Sequence, residues 1–173
     1  MNYVLVLLLL WSCSTEIVNS SGRFTNIKCI SLDEDFTTVT QCSLKMVKRN
    51  VVGLNIYCQL HKGPVSNVTV NVALYKKSNG YQPFLINATA DLCKFFENRK
   101  KYQIFMILSQ YFLRNSNVNH TCPYDHDIIV DNLILDSALF ATVPLQNGDY
   151  MFKVLAGILN SWKVEFNVFF RKN

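Results

Sequence analysis

Alternation of apolar and polar residues along the middle of the chain limits its fold more than any other feature. Between residues 65 and 75 one phase carries Val70 and Val72 while the other is polar or small, and residues 51–60 and 84–92 repeat this alternation. Successive side chains of a strand point to opposite faces, so a period of two indicates strands with one buried face. Antiparallel sheets often bury one face and expose the other, so we expect such sheets here.

Turn signals divide the chain into about eight strands. The polar residues 32–35 predict a local hairpin of the first two strands, and Asn79-Gly80 marks another hairpin. The fold class is therefore mainly β: a two-sheet β-sandwich is the first expectation and a closed barrel of the lipocalin type the second. The predicted strands are 24–31, 37–47, 51–60, 65–75, 84–92, 150–155 and 162–170, with short apolar segments at 128–130 and 133–135.

The period changes around residues 91–114, where apolar residues recur at helical spacing. Asp91 suits the N-cap of this segment, because its side chain can accept from an unpaired backbone N–H. Residues 98–101 interrupt the pattern. The sequence thus predicts a helical excursion, in two pieces, from a β protein.

The first residues are typical of a secretory signal peptide, although no Lys or Arg precedes the apolar run of residues 4–11. Small residues follow this run. We therefore expect a signal segment 1–20, cleaved after Ser14 or Ser20, and a single domain over 21–173. The run is shorter than the roughly 20 apolar residues that span a bilayer, so the protein is expected to be secreted and extracellular, and not membrane-spanning.

Charged residues make up 17% of the chain, below the usual value of about 25%, and the net charge is +5. The basic residues are scattered apart from Lys94 and residues 99–101, and no nucleic-acid-binding motif is present. Together with the predicted secretion, this excludes nucleic acid as the expected partner.

Six cysteines are present, and Cys13 leaves with the predicted signal. Cys58 lies in phase with apolar neighbours on a predicted strand, so we expect it to be a buried free thiol. The other four cysteines allow three pairings. From their positions we favour Cys29–Cys42, closing the first hairpin, and Cys93–Cys122, closing a longer excursion.

Four Asn-X-Ser/Thr triplets are present, and the one at Asn19 is usable only if it is retained after cleavage of the signal. The candidate N-glycosylation sites are therefore Asn67, Asn87 and Asn119. Asn67 and Asn87 fall on the polar phase of their predicted strands. A glycan must face water, so these positions predict the outer face of the sheet.

No pattern of residues points to catalysis. His120 and His126 flank Cys122 at a spacing that matches no standard zinc motif, and Cys122 is better used in a disulfide. The buried thiol of Cys58 lacks the surroundings of an activated nucleophile. No nucleophile elbow, zinc-protease helix or phosphate loop is present. We therefore expect no enzyme activity, no bound metal and no cofactor.

The helical excursion carries more aromatic surface than one face of a surface helix normally buries. Rings and methionine against the inner faces of strands suit an apolar cavity for acyl or other apolar ligands. The residues expected to line this cavity are Val70, Val72, Ile86, Phe95, Phe105, Met106, Phe112 and Phe166.

Several stretches in consistent order resemble a large insect family of small secreted proteins. This family is distantly related to the lipid-recognition (ML) superfamily and to CheB-type chemosensory proteins linked to contact-pheromone detection. The most specific stretch is Cys122-Pro123-Tyr124-Asp125-His126-Asp127. The others are Phe24–Cys29, Cys42, Asn79–Leu85, Asp91–Phe95, Asn119–Thr121 and Gly148–Tyr150.

The resemblance implies an immunoglobulin-like, ML-like sandwich with an apolar interior, and it agrees with the favoured cysteine pairing. It carries over no catalytic residue. The leading hypothesis is a monomeric, secreted carrier of a lipid, fatty acid or apolar semiochemical, acting in a chemosensory response with a receptor as the candidate protein partner. The alternative is an extracellular protein–protein interaction module with a filled core and no ligand.

Overall fold

The structure, a computed structural model, describes residues 21–173. The predicted signal segment 1–20, with Cys13 and the cleavage positions after Ser14 and Ser20, lies outside the described residues. The helical elements are α1 (Leu92–Glu97), a 3₁₀ turn (Arg99–Lys101), α2 (Gln103–Phe112) and α3 (Ala138–Thr142). The strands are β1 (Gly22–Ser31), β2 (Thr37–Lys48), β3 (Val51–Leu60), β4 (Thr69–Ser78), β5 (Gly80–Asp91), β6 (Ile128–Ile134), β7 (Gly148–Ile158) and β8 (Ser161–Lys172).

These strands form two separate antiparallel sheets, which confirms the predicted mainly β, two-sheet sandwich instead of a closed barrel. The large sheet has the order β1-β8-β7-β4-β5 and the small sheet has the order β2-β3-β6. On one side β1 contacts β2 and β3, so the sheets meet there. On the other side β5 contacts α1 and α2. The helical excursion therefore covers strands of the large sheet that the three-stranded sheet does not reach.

The predicted local hairpin of β1 and β2 is wrong. β1 pairs with β8, from Gly22 opposite Lys172 to Ser31 opposite Val164, whereas β2 pairs with β3. Residues 32–36 carry the chain from β1, at the edge of the large sheet, to β2 in the small sheet. The Cys29–Cys42 disulfide consequently ties the two sheets together and closes no hairpin.

The predicted helical excursion at 91–114 is present as α1, the 3₁₀ turn and α2. Asp91 caps α1: its carboxylate accepts a hydrogen bond from the Lys94 N–H at 3.1 Å. The Cys93–Cys122 disulfide joins the start of α1 to the loop before β6. This second disulfide also links an extension of the large sheet to an extension of the small one.

Stacked aromatic rings fill one end of the interior. The Phe170 ring centroid lies 5.5 Å from that of Tyr150 and 5.3 Å from that of Phe152, with the planes nearly parallel. Phe140 of α3 lies 6.4 Å from the same ring. Tyr150 and Phe170 are 0% exposed, as expected of a close-packed core. We call this region the aromatic end; its members are Phe24, Leu74, Leu139, Phe140, Tyr150, Phe152 and Phe170.

Several elements differ from the predicted ones. β4 begins at Thr69, and Val65 forms only an isolated bridge with Tyr124, so Asn67 lies in a loop before the strand. The apolar segments 128–130 and 133–135 belong largely to one strand, β6. The short helix α3 was not predicted, because five residues give too little periodicity to recognise.

Candidate functional site: a cavity between the sheets

A cavity of about 320 Å³ lies between the sheets beyond the aromatic end. We call it the central cavity. Its wall takes side chains from β1–β4 and β6–β8, from α1 and α2, and from the loops that follow β1, β3 and α2. The volume is at the lower end of the range of about 300–1,000 Å³ typical of small-molecule sites. It therefore suits one small or single-chain ligand.

The hydroxyl groups in this wall are already used by the protein. Each donates to a backbone carbonyl at 2.8–3.2 Å: Thr37 to Gln59, Ser109 to Met106, Ser116 to Leu113 and Tyr124 to His120. Their donor capacity is spent, so the cavity presents an apolar surface. Cavities of this kind exclude water and accept apolar guests.

Side-chain size along the large sheet explains where the cavity lies. On β7 and β4 the inward-facing residues become smaller from the aromatic end outward, and residues in the same row are paired across the two strands. The row that contains Leu74 and Phe152 lies at the filled end. The row of Val70, Ala156 and Val164 carries only small side chains, and there the two sheets leave space between them. On β7 the order is Tyr150, Phe152, Val154, Ala156, and on β4 it is Leu74, Val72, Val70.

The helical excursion forms the side wall of the cavity. Phe95 is 1% exposed and its ring centroid lies 6.1 Å from that of Phe105. Phe105, Leu108 and Phe112 share one face of α2 at helical spacing. The ring of Phe112 meets Phe152 edge to face at 5.4 Å, which joins the helix to the aromatic end.

Six of the eight residues expected to line the cavity lie in its wall, namely Val70, Val72, Phe95, Phe105, Phe112 and Phe166. Met106 does not, because it follows Phe105 on the helix and is rotated about 100° from the inward face; its side chain is 37% exposed. Ile86 does not either. It lies on the edge strand β5, one strand beyond β4, and packs against the main core.

Sequence reasoning missed the inward residues of β7 and β8 that complete the wall. Val154, Ala156 and Val164 line the cavity. The signal that could have found them is the falling side-chain size from Tyr150 to Ala156 along one strand face. Such a gradient differs from the uniformly bulky inward face that a fully packed sheet requires.

Cys58 lies in the cavity wall as a buried thiol, 3% exposed, and forms no disulfide among residues 21–173. Burial raises the pKa of the Cys58 thiol to about 12, and the nearby Asp127 carboxylate adds to the shift. The thiol is therefore protonated at physiological pH. It acts as a small apolar side chain, since the thiolate is the reactive form.

A second, more polar pocket adjoins the central cavity. The two share Phe36, Val65, Ile158 and Lys163, and we call these four residues the polar mouth. The Lys163 ammonium donates to the Asp33 carboxylate at 2.6 Å and lies 5.5 Å from the Phe36 ring centroid. This hydrogen bond lowers the pKa of the Asp33 carboxyl. Within residues 21–173, Lys163 is the one charged residue in the wall of the central cavity.

A polar cluster holds the loop before β6 against β3. The Asp127 carboxylate accepts from the Tyr57 hydroxyl at 2.6 Å and from the Leu60 N–H at 2.8 Å. The hydrogen bond from Tyr57 lowers the pKa of Asp127. Nearby, the Nε2 atoms of His120 and His126 are 2.8 Å apart. No group of three metal-ligating side chains occurs in the described part of the chain.

The three candidate glycosylation residues, Asn67, Asn87 and Asn119, are all exposed. Asn87 projects from the outer face of β5, where its amide oxygen accepts from Asn71 at 2.9 Å. Asn67 lies beside the polar mouth, in the wall of the second pocket.

The fold and the cavity define a class: a disulfide-stapled β-sandwich with an apolar space between its sheets. A family model described as "Protein of unknown function (DUF1091)" matches residues 70–152. That match runs from β4 through the helical excursion to the first half of β7, and so covers much of the cavity wall. The search of curated proteins gave no match. Among residues 21–173, none of the helices has the length and apolar character needed to cross a membrane.

Proposed function

We propose that this protein is a secreted, non-enzymatic carrier that holds a lipid or another apolar small molecule between its two sheets. The observation that carries this proposal is the central cavity of about 320 Å³, with its apolar wall and its spent hydroxyl donors. Transfer of each CH₂ group from water into such a space contributes about 0.8 kcal/mol. An acyl chain or a compact apolar molecule therefore gains most from this site.

The interaction-module alternative expects a filled interior. An unfilled apolar cavity costs stability, because its lining side chains lack packing partners. Retention of that space between the sheets favours a guest as the missing partner. The two disulfides, each linking parts of opposite sheets, support the extracellular setting of the proposal.

Native mass spectrometry of protein secreted by insect cells, followed by lipid extraction, tests the proposal. We expect an apolar small molecule to co-purify, and the emptied protein to take up a fluorescent fatty acid. Recovery of no apolar compound, together with no uptake of fatty acids or sterols, would refute it.

A pair of variants on β7 links the uptake to the cavity. Val154→Phe places a ring in the central cavity, whereas Leu155→Phe places the same ring on the other face of the strand. We expect Val154→Phe to weaken fatty-acid binding about tenfold or more, equal to about 1.4 kcal/mol, with Leu155→Phe close to wild type. Equal binding by both variants would place the ligand elsewhere.

We further propose that this carrier acts in a chemosensory response, a role supported by the family resemblance. Immunolocalisation to the support cells of sensory hairs would agree with it. Staining confined to fat body or reproductive glands would contradict it and leave the carrier function standing.

A further inference from the structure

Lys163 occupies an unusual position, at the border of an apolar cavity and a polar pocket. Its side chain is 16% exposed, and among residues 21–173 it is the one charged side chain in the wall of the central cavity. A cation in apolar surroundings is costly unless it is paired. Its partner, Asp33, lies on the polar side of the mouth.

The charges at this mouth do not balance. Lys62 and Lys163 line the polar pocket with a single carboxylate, Asp33. The lowered pKa of Asp33 keeps that carboxylate ionised at neutral pH, so the pocket carries a net positive charge. An ammonium has three N–H donors, and Lys163 gives one of them to Asp33. Donor capacity remains for a second anionic oxygen.

We propose that the ligand is a single-chain amphiphile with a carboxylate end, whose tail lies in the central cavity and whose carboxylate is bound by Lys163 at the polar mouth. This inference rests on the carrier function proposed above and names its ligand class. The small cavity limits the ligand to one chain, and the lysine sets the orientation with the acid outward. Asp33 opposes the acid, and Lys62 offsets that repulsion.

Competition against a neutral fluorescent probe tests the proposal on the delipidated wild-type protein. The ligands are myristic acid, methyl myristate and tetradecanol, which share one chain length and differ in the end group. We expect the acid to bind about tenfold more tightly than the ester or the alcohol near neutral pH, as for one partly exposed charge-assisted hydrogen bond.

Variants then test whether the preference for the acid depends on Lys163 at the polar mouth. Lys163→Met should abolish the preference for the acid, Lys163→Arg should keep it, and Asp33→Asn should increase it severalfold. Lys153→Met is the matched control: it removes a lysine from an ion pair with Glu165 in the same sheet but outside the cavity wall. It should leave the preference unchanged.

The outcomes separate the two proposals. Equal affinity of wild type for acid, ester and alcohol would overturn the assignment at Lys163 and leave the carrier function intact. Retention of the acid preference in Lys163→Met would do the same. Failure of all three ligands to bind would overturn both. Since the comparison of ligands on wild type needs no variant, the test stands even if Lys163→Met folds poorly.

Discussion

The aromatic end and the central cavity are built on the same strands of the large sheet, yet protein side chains fill the first and leave a space at the second. On β8, Phe170 is 0% exposed within a ring stack, whereas Phe166, four residues earlier on the same face, borders the cavity. The pairing of β7 with β8 is regular from Gly148 to Ala156, and its register shifts only between Ala156 and Gly157, in the wall of the cavity. Smaller inward side chains on β4 and β7 therefore distinguish the cavity from the aromatic end, since β8 carries a phenylalanine in both regions.

The two regions make different contributions to the structure. The aromatic end supplies the close-packed contacts that stabilise a fold of this size, and it frees the other end from that requirement. The helical excursion and the Cys93–Cys122 disulfide then hold the cavity wall in place, where core side chains do not. The carrier function proposed above needs both properties: a rigid frame and a space for a ligand.

The largest test of this contrast removes one ring from each region. Phe170→Ala should lower the free energy of unfolding by about 3–5 kcal/mol, and Phe166→Ala by only about 1–2 kcal/mol, since the second ring already faces empty space. Both changes delete the same atoms from the same strand face. Chemical denaturation of the ligand-free proteins measures the difference; equal losses would mean that the cavity end is as tightly packed as the aromatic end.

Smaller effects are expected when side chains are enlarged on β4, and the change in stability should have opposite signs in the two regions. Leu74→Phe overpacks the aromatic end and should cost about 1–3 kcal/mol. Val70→Leu fills part of the cavity and should stabilise the ligand-free protein by about 0.5–1 kcal/mol. Thermal unfolding provides the readout. The contrast fails if both enlargements destabilise the protein to the same extent.

The smallest expected effect is on stability at acidic pH, and it compares one carboxylate from each of the two regions. Asp127 anchors the loop at the cavity end, and Asp149 pairs with Arg171 beside the aromatic end, where the hydrogen bond from Arg171 lowers its pKa. A carboxyl whose pKa is lowered by folding contributes stability above its unfolded pKa. That contribution is lost as the pH falls through the folded value.

Asp127→Asn should therefore flatten the decline in stability below about pH 4 and speed hydrogen exchange in residues 115–127. Asp149→Asn, the matched change at the other end, should alter the same acid decline without loosening that loop. Hydrogen exchange followed by mass spectrometry compares them. Identical exchange in the loop of both variants would show that Asp127 does not anchor it.

Local patterns predicted those parts of the molecule that local forces build. The alternation at residues 51–60 and 84–92 forms β3 and β5, and Asp91 caps α1 as its side-chain chemistry requires. Six of eight predicted wall residues line the cavity, because a strand face or helix face is set by periodicity alone. The prediction placed Met106 in the wall, but it lies next to the inward-facing Phe105 on the helix, and a shift of one residue turns a side chain toward solvent.

Long-range pairing lay beyond such reasoning. The polar turn at 32–35 suggested a hairpin, but β1 takes its partner from the last strand, with Gly22 opposite Lys172. No local signal reports a partner so distant along the chain. For the same reason the sequence did not predict that the sheets have five and three strands. Nor did it predict the hydrogen bond at the polar mouth between Lys163 and Asp33, which are 130 residues apart in the chain.

The amino-acid sequence alone was sufficient to predict a mainly β chain with a helical excursion and an apolar inner face, since hydrophobic periodicity is a property of neighbours in sequence. Only the tertiary structure decided that Cys29–Cys42 joins two sheets, that small side chains from β4, β7 and β8 coincide, and that their coincidence leaves a space. A cavity is a property of distant side chains brought together, and its volume depends on which rows the pairing aligns.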